Sequence, residues 1–205
     1  MAYWCEDFLL DYIGEGTHAV NIGAHQGYWV KQLARCYERV TAIEATPANV
    51  AVLYRLAIPN VTVVPKAAWM HVGTVEFHVR SQALMNCAVA CRDIMGDQGV
   101  SQTITVDATT VDALNLSACD LIMMDTEGAE VMVAMGAART IERFRPNLII
   151  ECHEIEHRNW LMTWLERAGY NLAILHEPQR EMHDDWMRHV YLIGHHYRGK
   201  RSAVP

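Results

Sequence analysis

The segment His18–Trp29, HAVNIGAHQGYW, decides the fold. An apolar run carries the chain into Gly23, and Gly27 stands where a helical pattern, GYWVKQLARCYE, begins. The segment therefore reads as strand, tight turn, helix. Gly23 permits the turn and a close backbone approach, and Gly27 leaves space where a β-carbon would intrude. A dinucleotide fingerprint starting at Gly23 would need glycines where His25 and Tyr28 stand, and no Walker lysine follows. Both absences argue against a pyrophosphate or nucleotide triphosphate on this turn.

A nucleoside ligand without phosphates is what the turn still accommodates, and S-adenosylmethionine is the commonest of these. Glu44 closes the next strand, RVTAIEA, about twenty residues past the first glycine, where an α/β fold presents an acid to a ribose. A carboxylate accepts hydrogen bonds from both ribose hydroxyls. Ala45 follows it directly. In NVTVVPKAA, read as the third strand, Ala67 and Ala68 leave room for an adenine. Trp69 next to them supplies an apolar face to that ring or fills the core, and the sequence leaves both roles open.

Outward from this centre the same unit repeats. PANVAVLYRLA is a helix with Pro47 in its first turn. CDLIMMD is a strand, GAEVMVAMGAARTIERF one helix, PNLIIEC a strand and HRNWLMTWLERAGY an amphipathic helix. NLAILH and HVYLIGH are the last two strands. Between Gly73 and Ala113 the pattern changes: GTVEFHVR and SQTITVDATTV alternate apolar and polar residues, as exposed antiparallel strands do. The expectation is an α/β, doubly wound, mostly parallel sheet with ligands beyond the strands' carboxyl ends.

The chain has 205 residues, 51% hydrophobic and 20% charged, and no repeat or linker, which fits one domain over residues 1–205 with its core over about 18–195. No apolar run is long enough to span a bilayer. The first residues lack the basic start of a secretory leader, and the six cysteines form no C-x-x-C pair. Both features suggest reduced thiols and a cytoplasmic location. A net charge of −7 disfavours nonspecific nucleic-acid binding despite the basic tail HHYRGKRSAVP.

Taken in order, VNIGAHQGYW, AIEATPANVAVL, TTVDAL, DLIMMDTEGAEVMVAMGA and RPNLIIECH resemble the FkbM-type S-adenosylmethionine-dependent methyltransferases. The resemblance implies a class I methyltransferase (Rossmann-like) fold of seven strands, the last antiparallel. It implies O-methyl transfer, commonly to hydroxyls of sugars or other natural products. It makes Asn21, Gly23, Ala24, His25 and Gly27 neighbours of the cofactor's methionine part and Glu44 its ribose ligand. Asp125 and Glu127 match the acidic pair of the D-x-E-G block, and Glu151 the glutamate closing the next strand. Asn21 replaces a usual aspartate, and Met123 stands where a lysine is usual, which removes a positive charge near the site.

An alcohol acceptor needs a group to take its proton. Asp125, Glu127, Glu151 and His153 lie at adjacent strand ends. His153 is one candidate base. In the other option Asp125, Glu151 and His153 hold a Mg2+-like ion that acidifies the hydroxyl. Asp125 and Glu127 are alternatively caps for the helix expected from Gly128, Glu127 being the nearer; Glu130 reads as helix surface and His157 as a solvated helix start. His153-Glu154-Ile155-Glu156-His157 formally matches the H-E-x-x-H zinc-peptidase motif, with Glu177 or Glu181 at third-ligand distances. A working motif sits mid-helix, whereas this one straddles a strand–helix junction. A binding module without catalysis is the remaining alternative to an enzyme.

Overall fold

A computed structural model describes residues 9–80, 87–88, 100–176 and 190–196. Glu177, Glu181, the N-terminal stretch before Leu9 and the basic tail lie outside these residues.

The strand entering the glycine turn is β1 (Gly16–Ile22). Its neighbours are β2 (Tyr37–Ile43) and β8 (Leu121–Met124), both parallel to it. The full sheet also holds β3 (Val61–Val64), β9 (Asn147–Glu151), β10 (Tyr170–His176) and β11 (Val190–His196), in the order β10-β11-β9-β8-β1-β2-β3. Only β11 runs against the rest, antiparallel to both β9 and β10. The seven-stranded, last-strand-reversed sheet expected from the sequence is thus the one observed.

Both faces are covered, which is why the central strands read as unbroken apolar runs. On one face Ile22, Ile122, Met124 and Ile150 pack with Val133, Leu161 and Leu165 from α4 (Glu130–Gly136) and α6 (Ile155–Arg167). On the other, Ala19, Leu121, Met123 and Ile149 meet Leu33 of α2 (Tyr28–Cys36) and Ile13 of α1 (Leu10–Ile13). Helix α3 (Pro47–Leu56) sets Leu53 against Ala42. No described helix is long and apolar enough to cross a membrane.

Two elements differ from expectation. NVTVVPKAA is not one strand: Pro65 lacks the N–H a ladder requires, so β3 stops at Val64. Ala67–Ala68 forms β4 of a separate four-stranded sheet, in the order β4-β7-β5-β6. There β5 (Gly73–Arg80) pairs antiparallel with β7 (Val100–Thr109), as their alternation predicts, and with β6 (Cys87–Ala88). The expected helix over residues 128–144 is two, α4 and α5 (Ala138–Phe144), broken at Ala137. Asp112, on a 3-10 turn 25 residues upstream, caps the second helix at the break. Its carboxylate accepts the backbone N–H groups of Arg139 and Thr140 and the Thr140 hydroxyl, so they are not left to a continuous helix. Asp112→Ala should therefore lower stability by about 2 kcal/mol, read by thermal unfolding; an unchanged midpoint would mean the cap is idle.

Candidate functional site

Strand order reverses where β1 meets β2 and β8, and a cleft opens beyond the carboxyl ends of these strands. Gly23, Ala24, His25, Glu44, Ala45, Ala67, Ala68, Trp69, Asp125 and Glu127 all border it. The turn is tight. Gly23 has φ +76°, and a β-carbon there would lie 1.7 Å from the carbonyl oxygen of Asp125. His25 is also left-handed, at φ +47°.

Glu44 ties the turn to the next strand. Its Oε2 accepts the backbone N–H of His25 at 2.8 Å, and its Oε1 accepts that of Thr46 at 2.8 Å and, at 3.4 Å, an Asn49 side-chain N–H. Oε2 keeps its second lone pair for a ribose hydroxyl. Trp69 is buried in the core cluster and also borders the cleft, so both sequence readings describe part of its position.

Two residues assigned to the cofactor lie elsewhere. The missing β-carbon of Gly27 makes room for Leu53 and Leu56, with approaches of 3.0 and 2.5 Å, so its role in the structure is helix packing. Asn21 is buried and does not border the cleft. Its partner across the β1–β8 ladder is Met123. The two departures from the family pattern thus stand side by side: where an acid and a lysine are usual, two neutral residues meet and neither leaves a lone charge. Residues that the sequence reading missed border the cleft as well: Thr46 and Lys66 after the β2 and β3 ends, Asn49 in the first turn of α3, and Phe77 and Ala88 from the second sheet. The last two are paired across β5 and β6, a proximity only that sheet creates.

The acidic block turns sharply. Glu127 at φ +50° and Gly128 at φ +93° are consecutive left-handed residues, a strain that costs a non-glycine residue about 1 kcal/mol. Helix α4 starts only at Glu130, and Glu127 is directed at a histidine rather than serving as a helix cap. Nε2 of His153 lies 3.3 Å from Glu127, 3.6 Å from Glu151 and 3.7 Å from Asp125. Its Nδ1 donates to Oε1 of Glu130 at 2.8 Å, and Nδ1 of His157 donates to Oε2 at 3.0 Å.

Glu130 is thus no surface residue, since it is fully buried, and His157 is part of an ion-pair network. The histidines of the zinc-peptidase match serve one carboxylate, with His153 in the loop before α6 and His157 inside it. Burial alone would raise the pKa of Glu130. The hydrogen bonds from His153 and His157, the His153 charge and the Gly128 N–H outweigh it and hold Glu130 at about 2. Burial alone would lower the pKa of His153. The bond to Glu130 and the charges of Glu151, Glu127 and Glu130 instead hold it well above its ordinary 6.5. His157 is raised as well, chiefly by its bond to Glu130.

With Nδ1 engaged by Glu130 and three carboxylates near Nε2 favouring the charged ring, His153 is set up to hold a proton rather than to take one. Asp125, Glu127 and His153 do bring one ligand atom each within 4.8 Å of one another, with Glu151 outside that set. Mg2+ demands oxygen ligands in near-octahedral array. Two carboxylates and an imidazole nitrogen are not that oxygen set, and no step below passes through a metal.

A mostly parallel seven-stranded sheet with a reversed last strand and a glycine turn facing an acid defines the class I methyltransferase fold, whose donor is S-adenosylmethionine. The family model of the methyltransferase FkbM domain matches residues 21–172, and the chain belongs to that family of S-adenosylmethionine-dependent methyltransferases.

Among solved structures, an FkbM methyltransferase from Methylobacillus flagellatus KT is similar at a TM-score of 0.63 and 21% identity, over 88% of this chain and 44% of that one. The chain thus spans under half the length of that relative. An rRNA methylase from Streptococcus thermophilus matches at a TM-score of 0.55 and 10% identity over 95% of both chains. Aeropyrum pernix fibrillarin, with natively bound S-adenosyl-L-methionine, matches at 0.54 and 11%, over 89% of this chain and 67% of that one. No curated protein matches the sequence.

Proposed function

We propose that the chain transfers the methyl group of S-adenosylmethionine to a hydroxyl oxygen of a small acceptor, a saccharide or similar natural product. One observation carries the reading: the Gly23 turn and Glu44 border a single cleft and are hydrogen-bonded to each other through His25, with Asp125 and Glu127 lining the same cleft. When bound, the cofactor supplies a methyl group already activated on sulfonium. The protein's share is orientation and proton removal. Glu44 holds the ribose, Ala67 and Ala68 leave space for the adenine, and Gly23 lets the chain approach the methionine part closely.

With His153 protonated, the proton of the acceptor hydroxyl goes to a cleft carboxylate, Asp125 or Glu127. The imidazolium beneath them offsets their mutual repulsion. Calorimetry with S-adenosylhomocysteine should show one-to-one binding, and labelled S-adenosylmethionine should pass its methyl to a saccharide or phenol in an acceptor panel. Methylation of amines alone would sink the hydroxyl reading, and binding without transfer would favour a non-catalytic module.

Glu44→Ala removes the ribose acceptor and strands the N–H groups of His25 and Thr46. Affinity for S-adenosylhomocysteine should fall about 10- to 100-fold, with a modest loss of stability. Unchanged affinity would refute the ribose assignment.

A further inference from the structure

We propose that Glu130 is a positioning residue for methyl transfer, a buried carboxylate that holds the rings of His153 and His157 and so keeps His153 facing Asp125 and Glu127. The proposal rests on the reading that transfer takes place beside those two acids. A carboxylate with no exposure must be matched by donors or it forfeits solvation worth several kcal/mol. Glu130 is matched by three groups from two stretches of chain. Gly128 N–H, in the loop after β8, donates to Oε1 at 2.9 Å; His153, in the loop after β9, donates to the same oxygen; His157, in the first turn of α6, donates to the other.

The first of these loops carries Asp125 and Glu127 into the cleft, and the second follows Glu151 directly. One side chain therefore locks together both halves of the acidic rim. A histidine ring can flip about its last torsion. Fixing Nδ1 on Glu130 decides that Nε2, and not a carbon, meets the rim carboxylates 3.3 to 3.7 Å away. Metal sites use the same device, in which a carboxylate on one ring nitrogen sets the direction of the other. His157 makes the clamp two-sided, so that the Glu130 carboxylate has no freedom to rotate. The H-E-x-x-H spacing thereby gains a role: its two histidines grip one acid.

The test is long-range 1H–15N spectroscopy of the imidazoles in the full chain, with assignments from His153→Gln and His157→Gln. Thermal unfolding and S-adenosylhomocysteine calorimetry are run on the same samples. Glu130→Gln offers one acceptor oxygen and an amide N–H in place of two acceptors, so a ring must turn. The expected result is an altered His153 ring signature, while affinity for S-adenosylhomocysteine stays within about twofold, because Glu130 does not border the cleft.

With a methylated acceptor from the panel, kcat should fall about 100-fold at constant KM for S-adenosylmethionine. Glu130→Asp keeps the charge but is one methylene too short to span both rings, and serves if the glutamine variant does not fold. An unchanged His153 signature in both variants overturns the proposal. So does a loss of cofactor binding that merely tracks a loss of fold, which would make Glu130 structural only. Wild-type protein that fails to bind S-adenosylhomocysteine would instead overturn the cofactor reading.

Discussion

Gly23→Ala should abolish S-adenosylhomocysteine binding and lower the unfolding midpoint by about 10 °C. The new β-carbon would sit 1.7 Å from the carbonyl oxygen of Asp125, far inside contact distance, and that oxygen belongs to backbone. Neither partner can retreat. Gly23 N–H is bonded to the Ile43 carbonyl at 3.0 Å, and Asp125 N–H to the Ile22 carbonyl at 3.0 Å, so moving one strand end breaks a ladder rung. At φ +76° an alanine adds roughly 1–2 kcal/mol of its own strain. The total should reach about 3–5 kcal/mol, the range of severe single substitutions.

Gly27→Ala is the control. Its φ is also left-handed, at +85°, but the β-carbon meets the ends of the Leu56 and Leu53 side chains, which can rotate away. That variant should cost only about 1–2 kcal/mol and still bind S-adenosylhomocysteine. Equal losses in the two variants, by calorimetry and thermal unfolding, would show that the backbone approach at Gly23 is not what matters.

Glu130→Ala should destabilise the fold by about 3–5 kcal/mol at mildly acidic pH, because it strips a buried counter-charge from two imidazolium rings. The sign of the pH dependence follows from the shifts. The folded-state pKa of Glu130 is depressed from 4.5 to about 2, so its contribution is complete above about 4.5 and fades as pH falls through 2. Those of His153 and His157 are raised above 6.5, so their contribution is complete below 6.5 and fades as pH rises through their folded values. Opposite charges coexist fully between about 4.5 and 6.5. The gap between wild type and Glu130→Ala should be widest there and narrow as pH rises through the raised folded-state values of the two histidines. A gap that does not vary with pH would mean that ion pairing is not what Glu130 supplies.

The arrangement of the site also explains which parts were readable beforehand. Gly23, Glu44 and Asp125 each close a strand, and strand ends in a parallel sheet converge by topology, so reading the strands correctly places these residues together. His153 was placed at the rim for the same reason, but its protonation was not readable. That depends on Glu130, whose hydrogen bonds to the two histidines span 23 and 27 positions. An acid in the first turn of a short helix looks like surface until the loop after β9 folds over it.

The break at Ala137 has the same origin. The apolar pattern from Glu130 to Phe144 suits one helix, but Gly136 closes α4 and the distant carboxylate of Asp112 takes the N–H groups of Arg139 and Thr140 at the start of the next.

By itself the sequence determined the order of strands and helices, the reversed final strand through the family it resembles, and the acid facing the glycine turn. The element order and the facing acid follow from local periodicity and from chirality rules that leave a βαβ unit only one practical hand, and the reversed strand is what the resemblance implies. Tertiary structure alone decided the charge of His153, the burial of Glu130 and the entry of Phe77 and Ala88 into the cleft wall. These are properties of fields and contacts between segments remote in the chain, and no local pattern encodes the distance between them.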